Sequence, residues 1–155
     1  MSNWFMTALF GQSKPPPSTD EQMKEWRRQV KHEQNHMERD IRKAELAMKK
    51  AEIECKSLAK KKNFEAAKLM TRHVIKSRAG LSRMYECKAQ LTSIHAEIGR
   101  AASMIKVQGC LVKSTEVMHS MNQLFKLPEL TETMRSLATE MAKAGLIVRH
   151  VLTSK

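Results

Sequence analysis

Hydrophobic residues recur every seven positions along much of this chain, a spacing typical of long helices that pack side by side. Ser18 and Glu21 have the spacing of a capping box, which predicts a helix start just after the proline block. The first apolar series then comprises Met23, Val30, Met37, Ala44, Ala51 and Leu58, joined by Ile41, Met48 and Cys55. It stops at the run 60–63, Lys-Lys-Lys-Asn, where cations suit a helix C-terminus and Asn suits the next N-cap. This run is the predicted tip of a hairpin.

A second series predicts that the chain returns along the first helix. Its members are Met70, Ser77, Met84, Leu91, Ile98 and Ile105, joined by Cys87, Ile94 and Ala101. No proline lies between Pro17 and Pro128, and an interior proline would cost a helix about 3 kcal/mol. We therefore predict an all-α fold, in which two helices of ~40 residues form a hairpin over 19–109.

Shorter apolar series continue after the hairpin and predict two further helices within 110–147. The third helix carries Leu111, Met118, Met121 and Phe125, and it could continue the second unless Gly109 breaks the chain there. The fourth carries Leu130, Met134, Leu137 and Met141, opens near Pro128 and closes near Gly145. Residues 148–155 are predicted to be a tail.

Hydropathy and cysteine content argue against a membrane-spanning protein and against a disulfide-rich or zinc-binding one. No apolar run approaches the ~18 residues that a membrane span requires, so we expect neither a transmembrane anchor nor a signal peptide. The three cysteines, Cys55, Cys87 and Cys110, are far apart and form no CxxC pair. We therefore expect no disulfide framework and no zinc knuckle, and a reducing compartment, either the cytosol (cytoplasmic) or the nucleus.

The chain is strongly basic, with 28 Lys and Arg against 16 Asp and Glu, and most of the surplus lies in the hairpin. Such a surface attracts polyanions, either acidic lipid or nucleic acid. The candidate lipid-binding cations are Arg27, Arg28, Lys31, Lys60, Lys61, Lys62, Lys68, Arg72 and Lys76. The alternative is a merely solvated helix face, but such faces are normally close to charge balance.

The N-terminus favours lipid as the polyanion. Residues 1–12 carry the candidate membrane-inserting side chains Trp4, Phe5, Leu9 and Phe10, and a proline linker at 13–18 follows. A short apolar segment on such a tether suits insertion into a membrane interface, although it could instead fold back onto the hairpin. Aromatics interleaved with the basic residues would favour nucleic acid. Here Trp26, Phe64 and Tyr85 are isolated and no recognised reader motif occurs, so we expect no nucleic-acid partner.

One catalytic pattern occurs, and we do not adopt it. His32 and His36 with Glu33 match HExxH, which on a helix can supply two zinc ligands and a general base. At about 100° per residue, however, both histidines point away from the helix face that carries the seam residue Val30. On that outward face we expect that no pocket can form around them. We interpret them as surface residues and predict no enzyme, no metal and no cofactor.

Several motifs resemble the ESCRT-III family of charged multivesicular body proteins. They occur in order across about residues 5 to 147, which makes the resemblance specific. The motifs are Leu9-Phe10-Gly11, Glu25-Trp26, Ile75-Lys76-Ser77-Arg78, Lys113-Ser114-Thr115-Glu116-Val117-Met118, Lys126-Leu127-Pro128-Glu129-Leu130, Thr133-Met134-Arg135 and Glu140-Met141-Ala142-Lys143-Ala144-Gly145-Leu146-Ile147.

The resemblance implies a non-catalytic subunit that forms homo- and hetero-polymers with sister ESCRT-III subunits. Such filaments assemble peripherally on acidic late-endosome and multivesicular body membranes and drive remodelling and scission, in cargo sorting, abscission and virus budding. The N-terminal apolar residues would insert and the basic hairpin would meet the lipid. On the fourth helix, the implied subunit contacts are Leu130, Met134, Leu137 and Met141.

The end of the chain departs from the family pattern. The family continues through an acidic region to a helix that recruits a AAA ATPase and that folds back to hold a closed state, whereas residues 148–155 contain no acidic run. We therefore expect a truncated or divergent form with weak or absent ATPase recruitment and a bias toward the open state. Two other hypotheses are a cytosolic coiled-coil scaffold without membrane activity and a basic protein associated with nucleic acid.

Overall fold

The computed structural model describes residues 17–127 and 132–148, which contain helices, turns and loops but no strand. Helix α1 spans Thr19–Lys60, α2 spans Phe64–Gln108, α3 spans Thr115–Phe125 and α4 spans Glu132–Ala144. The predicted all-α architecture, two long helices followed by two shorter ones, is confirmed. The proposed inserting segment, Leu130 and the tail beyond 148 lie outside the described residues.

The helix boundaries follow the local signals in the sequence. Ser18 and Glu21 form the predicted capping box, in which the Glu21 N–H donates to Ser18 Oγ at 3.3 Å and the Ser18 N–H donates to Glu21 Oε2 at 3.0 Å. At the tip, Asn63 accepts a hydrogen bond from the Ala66 N–H and caps α2. Between α1 and α2, Lys62 adopts a left-handed φ of 59°. The predicted position of the tip is therefore confirmed.

Helices α1 and α2 run antiparallel along the predicted seam. Their polar cross-links keep one register, since Gln34 donates to Thr92 at 2.8 Å and Arg78 pairs with Glu52 at 2.7 Å. Tyr85 donates a further hydrogen bond to Glu45. Every residue of the two predicted apolar series is buried or half-buried.

The hydrophobic core lies at the open end of the hairpin, where all four helices meet. Its fully buried members include Val30 of α1, Ile94 and Ile98 of α2, Met121 and Leu124 of α3, and Leu137 and Met141 of α4, with Leu146 just beyond. No residue between 38 and 86 belongs to this cluster. The distal half of the hairpin is therefore a two-helix rod that neither α3 nor α4 covers.

Gly109 separates α2 from α3. It has a φ of 74° and its N–H donates to the Ile105 carbonyl at 2.7 Å, which is the geometry of a left-handed helix C-cap. Ser114 then caps α3 by accepting a hydrogen bond from the Val117 N–H at 3.2 Å. In this conformation α3 is thus a separate helix that folds back onto the hairpin.

Two glycine substitutions are expected to have opposite effects. Gly80 lies inside α2, where an added Cβ would meet no atom within 4 Å. Gly80→Ala should therefore raise the free energy of unfolding by about 0.5–1 kcal/mol through helix propensity. Gly109→Ala should lower it by about 1–2 kcal/mol, because an L side chain is strained at positive φ. Urea unfolding of both variants measures this, and shifts of the same sign would contradict it.

Candidate membrane and subunit contact surfaces

The nine predicted lipid-binding cations are all exposed, but they form two patches rather than one. The open-end patch consists of Arg27, Arg28 and Lys31 on α1. The tip patch consists of Lys60, Lys61, Lys62, Lys68, Arg72 and Lys76. At 1.5 Å per residue the two patches lie about 40 Å apart along the rod, well beyond the ~8 Å screening length at physiological salt. Each patch therefore acts on a charged surface independently.

Most of the tip patch is free of intramolecular ion pairs. Lys68 lies 3.2 Å from Glu65, and both side chains are exposed. The other five cations make no ion pair with any residue in 17–127 or 132–148. Their charge is not neutralised within the described part of the chain and is available to an external anion.

The open-end patch lines a shallow groove between the two long helices. Lys24, Arg27, Arg28, Lys31, His32 and Asn35 of α1 line one side, and His95 of α2 lines the other. Arg28 is held by Glu25, with Nη2 and Oε1 2.6 Å apart. The hydrogen bonds that Glu25 accepts from Arg28 and Gln29 lower the pKa of this carboxyl to about 2.

His95 is a groove residue that the sequence did not indicate. Its imidazole is half-buried, and burial together with the neighbouring charges of Arg27 and Lys31 lowers its pKa below the usual 6.5. A histidine on α2 and cations on α1 share no sequence motif. Only the hairpin register brings them together.

The HExxH histidines lie on the surface, as predicted, but the expectation that no pocket can form around them is wrong for His32. His32 is exposed and lines the groove, whereas His36 is exposed and contacts Asp40, with Nδ1 and Oδ2 3.1 Å apart. Within the described ranges, no group of three His, Cys, Asp or Glu side chains is placed to hold a metal ion. The same residues include no helix that is long and apolar enough to cross a bilayer.

Comparison with known proteins identifies the family. The Snf7 family profile matches residues 25–151, which include α1 from residue 25 onward, α2, α3 and α4. The chain belongs to the Snf7 family. The match contains all nine candidate cations and begins after the N-terminal apolar segment.

Named relatives of this Snf7 chain agree with the resemblance seen in the sequence. Charged multivesicular body protein 3 of Xenopus laevis is 36% identical over 139 residues, which cover 90% of this chain and 63% of that protein. The Rattus norvegicus protein of the same name is 37% identical over 141 residues, 90% of this chain and 62% of that protein. Vacuolar protein sorting-associated protein 24 of Schizosaccharomyces pombe is 31% identical over 131 residues, 84% of this chain and 57% of that protein. The resemblance to charged multivesicular body proteins is thus confirmed, and the chain spans less than two thirds of these relatives' length.

In this Snf7 chain the proposed subunit-contact residues of α4 face inward. Met134, Leu137 and Met141 are buried in the four-helix core, and Leu130 lies outside the described residues. Contact with a neighbouring subunit through these side chains would require α4 to leave the hairpin. Their role between subunits stays a prediction.

Trp26 connects the start of the hairpin to α4, a role that we did not assign from the sequence. It is 2% exposed, and its indole N–H donates to Glu140 Oε2 at 3.1 Å. A further hydrogen bond, which the Ser114 N–H donates to the Leu146 carbonyl at 2.9 Å, joins the loop before α3 to the segment after α4. The spacing in the sequence could have indicated that Trp26 is buried, since it follows Met23 by three positions and precedes Val30 by four on the same apolar stripe.

Proposed function

We propose that this chain is an ESCRT-III subunit that polymerises with itself and with sister subunits on acidic membranes, and thereby contributes to multivesicular body sorting and membrane scission. Its role is structural rather than catalytic. It is recruited peripherally from the cytoplasm to late-endosomal and multivesicular body membranes. The Snf7 match over residues 25–151 is the observation that carries the proposal.

The cations give this proposal a physical basis. Each Lys or Arg near an anionic leaflet contributes about 1 kcal/mol before screening, so the five unpaired tip cations alone could supply several kcal/mol. Membrane insertion of Trp4, Phe5, Leu9 and Phe10 would add apolar burial. The two contributions together would secure attachment that neither secures alone.

Liposome co-sedimentation tests the proposal. We expect the chain, alone or with sister subunits, to pellet with phosphatidylserine vesicles and to be released as salt rises, and electron micrographs of the pellet to show filaments or tubules. Neutral phosphatidylcholine vesicles are the control. If acidic vesicles bind no protein under any of these conditions, the scaffold hypothesis replaces membrane remodelling. The predicted weakness of ATPase recruitment stays a prediction.

A further inference from the structure

In the groove at the open end, the titratable imidazole of His95 faces several cationic side chains. His95 projects from α2 toward the α1 side chains Lys24, Arg27, Arg28, Lys31 and His32, and no residue of α3 or α4 contributes to the described lining. Arg27 crosses toward α2 at Gly99, where an added Cβ would lie 3.6 Å from its Cζ and Nε. Since Gly99 is one helical turn after His95, the Arg27 guanidinium and the His95 imidazole share one end of the groove.

Part of the positive charge in the groove is already neutralised. Lys24 pairs with Asp20 at 2.7 Å, and Arg28 pairs with Glu25 at 2.6 Å. Arg27 and Lys31 make no ion pair with a described residue. The groove therefore presents two uncompensated cations beside the His95 imidazole.

Burial and these cations together lower the pKa of His95 in the free protein. Burial is the largest cause that lowers its pKa, and repulsion from Arg27 and then Lys31 lowers it further. The imidazole is accordingly neutral near pH 7. An anion placed between Arg27 and Lys31 removes that repulsion and adds an attraction of its own, so the pKa of His95 must rise when the anion binds.

We propose that this groove is a proton-linked binding site for phosphate-type oxyanions, in which His95 takes up a proton as the anion settles between Arg27 and Lys31. The proposal rests on the proposed membrane function, because it names the regulation of one of the two lipid-binding patches. The same chemistry would accept a lipid phosphate or a free oxyanion. A fall in pH at the membrane surface would thereby strengthen the binding of the membrane to the open end of the hairpin.

The sign of the pH dependence follows from linkage. The anion-bound protein binds more protons than the free protein between the two pKa values of His95, so affinity rises as pH falls through that interval. One linked proton permits at most about a tenfold gain in affinity per pH unit. The tip patch lies about 40 Å from His95, so its attraction for a membrane forms a background that does not involve this histidine.

The first test follows the histidine itself in the 155-residue chain. NMR titration of the imidazole resonances with and without inorganic sulfate, whose charge is constant near neutral pH, should show the His95 pKa rising on sulfate binding. His119, exposed on α3 and outside the groove, is the internal control. Lys31→Gln should raise the His95 pKa in the absence of sulfate. An unmoved His95 in both experiments would overturn the proposal.

The second test separates this proposal from the membrane function. Phosphatidylserine vesicles should bind the wild-type chain several-fold more tightly at about pH 5.5 than at about pH 7.5. His95→Gln should lose most of this gain, whereas the matched control His119→Gln, which changes an exposed histidine outside the groove, should keep it. Equal pH dependence in both variants overturns the proton-linked groove but leaves membrane binding intact. Absence of vesicle binding at either pH contradicts the membrane function, while the sulfate titration still decides the groove.

Discussion

Replacement of Trp26 by Ala is expected to lower the free energy of unfolding by about 3–5 kcal/mol. Trp26 is 2% exposed and packs in the core that joins α1 to α3 and α4. The substitution would leave a cavity in that core and remove the hydrogen bond from the indole to Glu140. A loss this large is a substantial fraction of the 5–15 kcal/mol that stabilises an ordinary domain.

Two further variants divide this effect into packing and hydrogen bonding. Trp26→Phe keeps an aromatic ring but loses the indole N–H, so we expect a smaller loss of about 1–2 kcal/mol. Leu46→Ala removes a side chain that is 57% exposed on the distal part of α1, and it should change the stability by less than about 0.5 kcal/mol. Urea unfolding followed by far-UV circular dichroism measures all three. A Trp26→Ala variant as stable as the Leu46→Ala variant would contradict the anchoring role of Trp26.

Removal of the three tip lysines is expected to weaken binding to acidic vesicles by up to about a hundredfold at low salt. Lys60, Lys61 and Lys62 are exposed and make no ion pair with a described residue, so changing all three to Gln removes three available charges. At about 1 kcal/mol for each cation near an anionic surface, the lost attraction is about 3 kcal/mol before screening. Co-sedimentation with phosphatidylserine vesicles over a range of salt concentrations measures the loss.

The matched control changes the same three lysines to Arg. It keeps the charge, and it also keeps a non-glycine residue at the left-handed position 62, so backbone strain at the tip is the same in both variants. We expect the Arg variant to bind like the wild type and the Gln variant to show a shallower salt dependence. Equal binding by the Gln and Arg variants would show that these three lysines are not the lipid contact, and it would leave the other tip cations and the open-end patch as the candidates.

The hairpin was predictable because its determinants are local. A helix places residues seven positions apart on the same face, so the series from Met23 to Leu58 and from Met70 to Ile105 could be identified without knowledge of the partner helix. Ser18, Asn63 and Gly145 mark helix ends through hydrogen bonds or backbone conformations that involve near neighbours. The first helix therefore begins and ends where the sequence indicated.

The contacts between distant segments were not predictable in the same way. Trp26 and Glu140 are 114 positions apart, and His95 faces Arg27 only because α2 returns along α1 in one particular register. Gly109 was compatible either with a continuous helix or with a break. Packing of α3 onto α2 accompanies the break, and that packing depends on side chains such as Val117 and Met121, which are buried only after the chain has turned.

The sequence by itself determined the helical class, the lengths of the two long helices, the position of the tip and the excess of positive charge, because periodicity, capping residues and composition act within a few turns of chain. Tertiary structure alone decided that α3 and α4 cover the open end, that Met134, Leu137 and Met141 are buried, and that the cations divide into two separate patches. The physical reason is that an apolar stripe specifies the need for burial but not the surface that provides it. That choice depends on contacts between residues far apart in the chain.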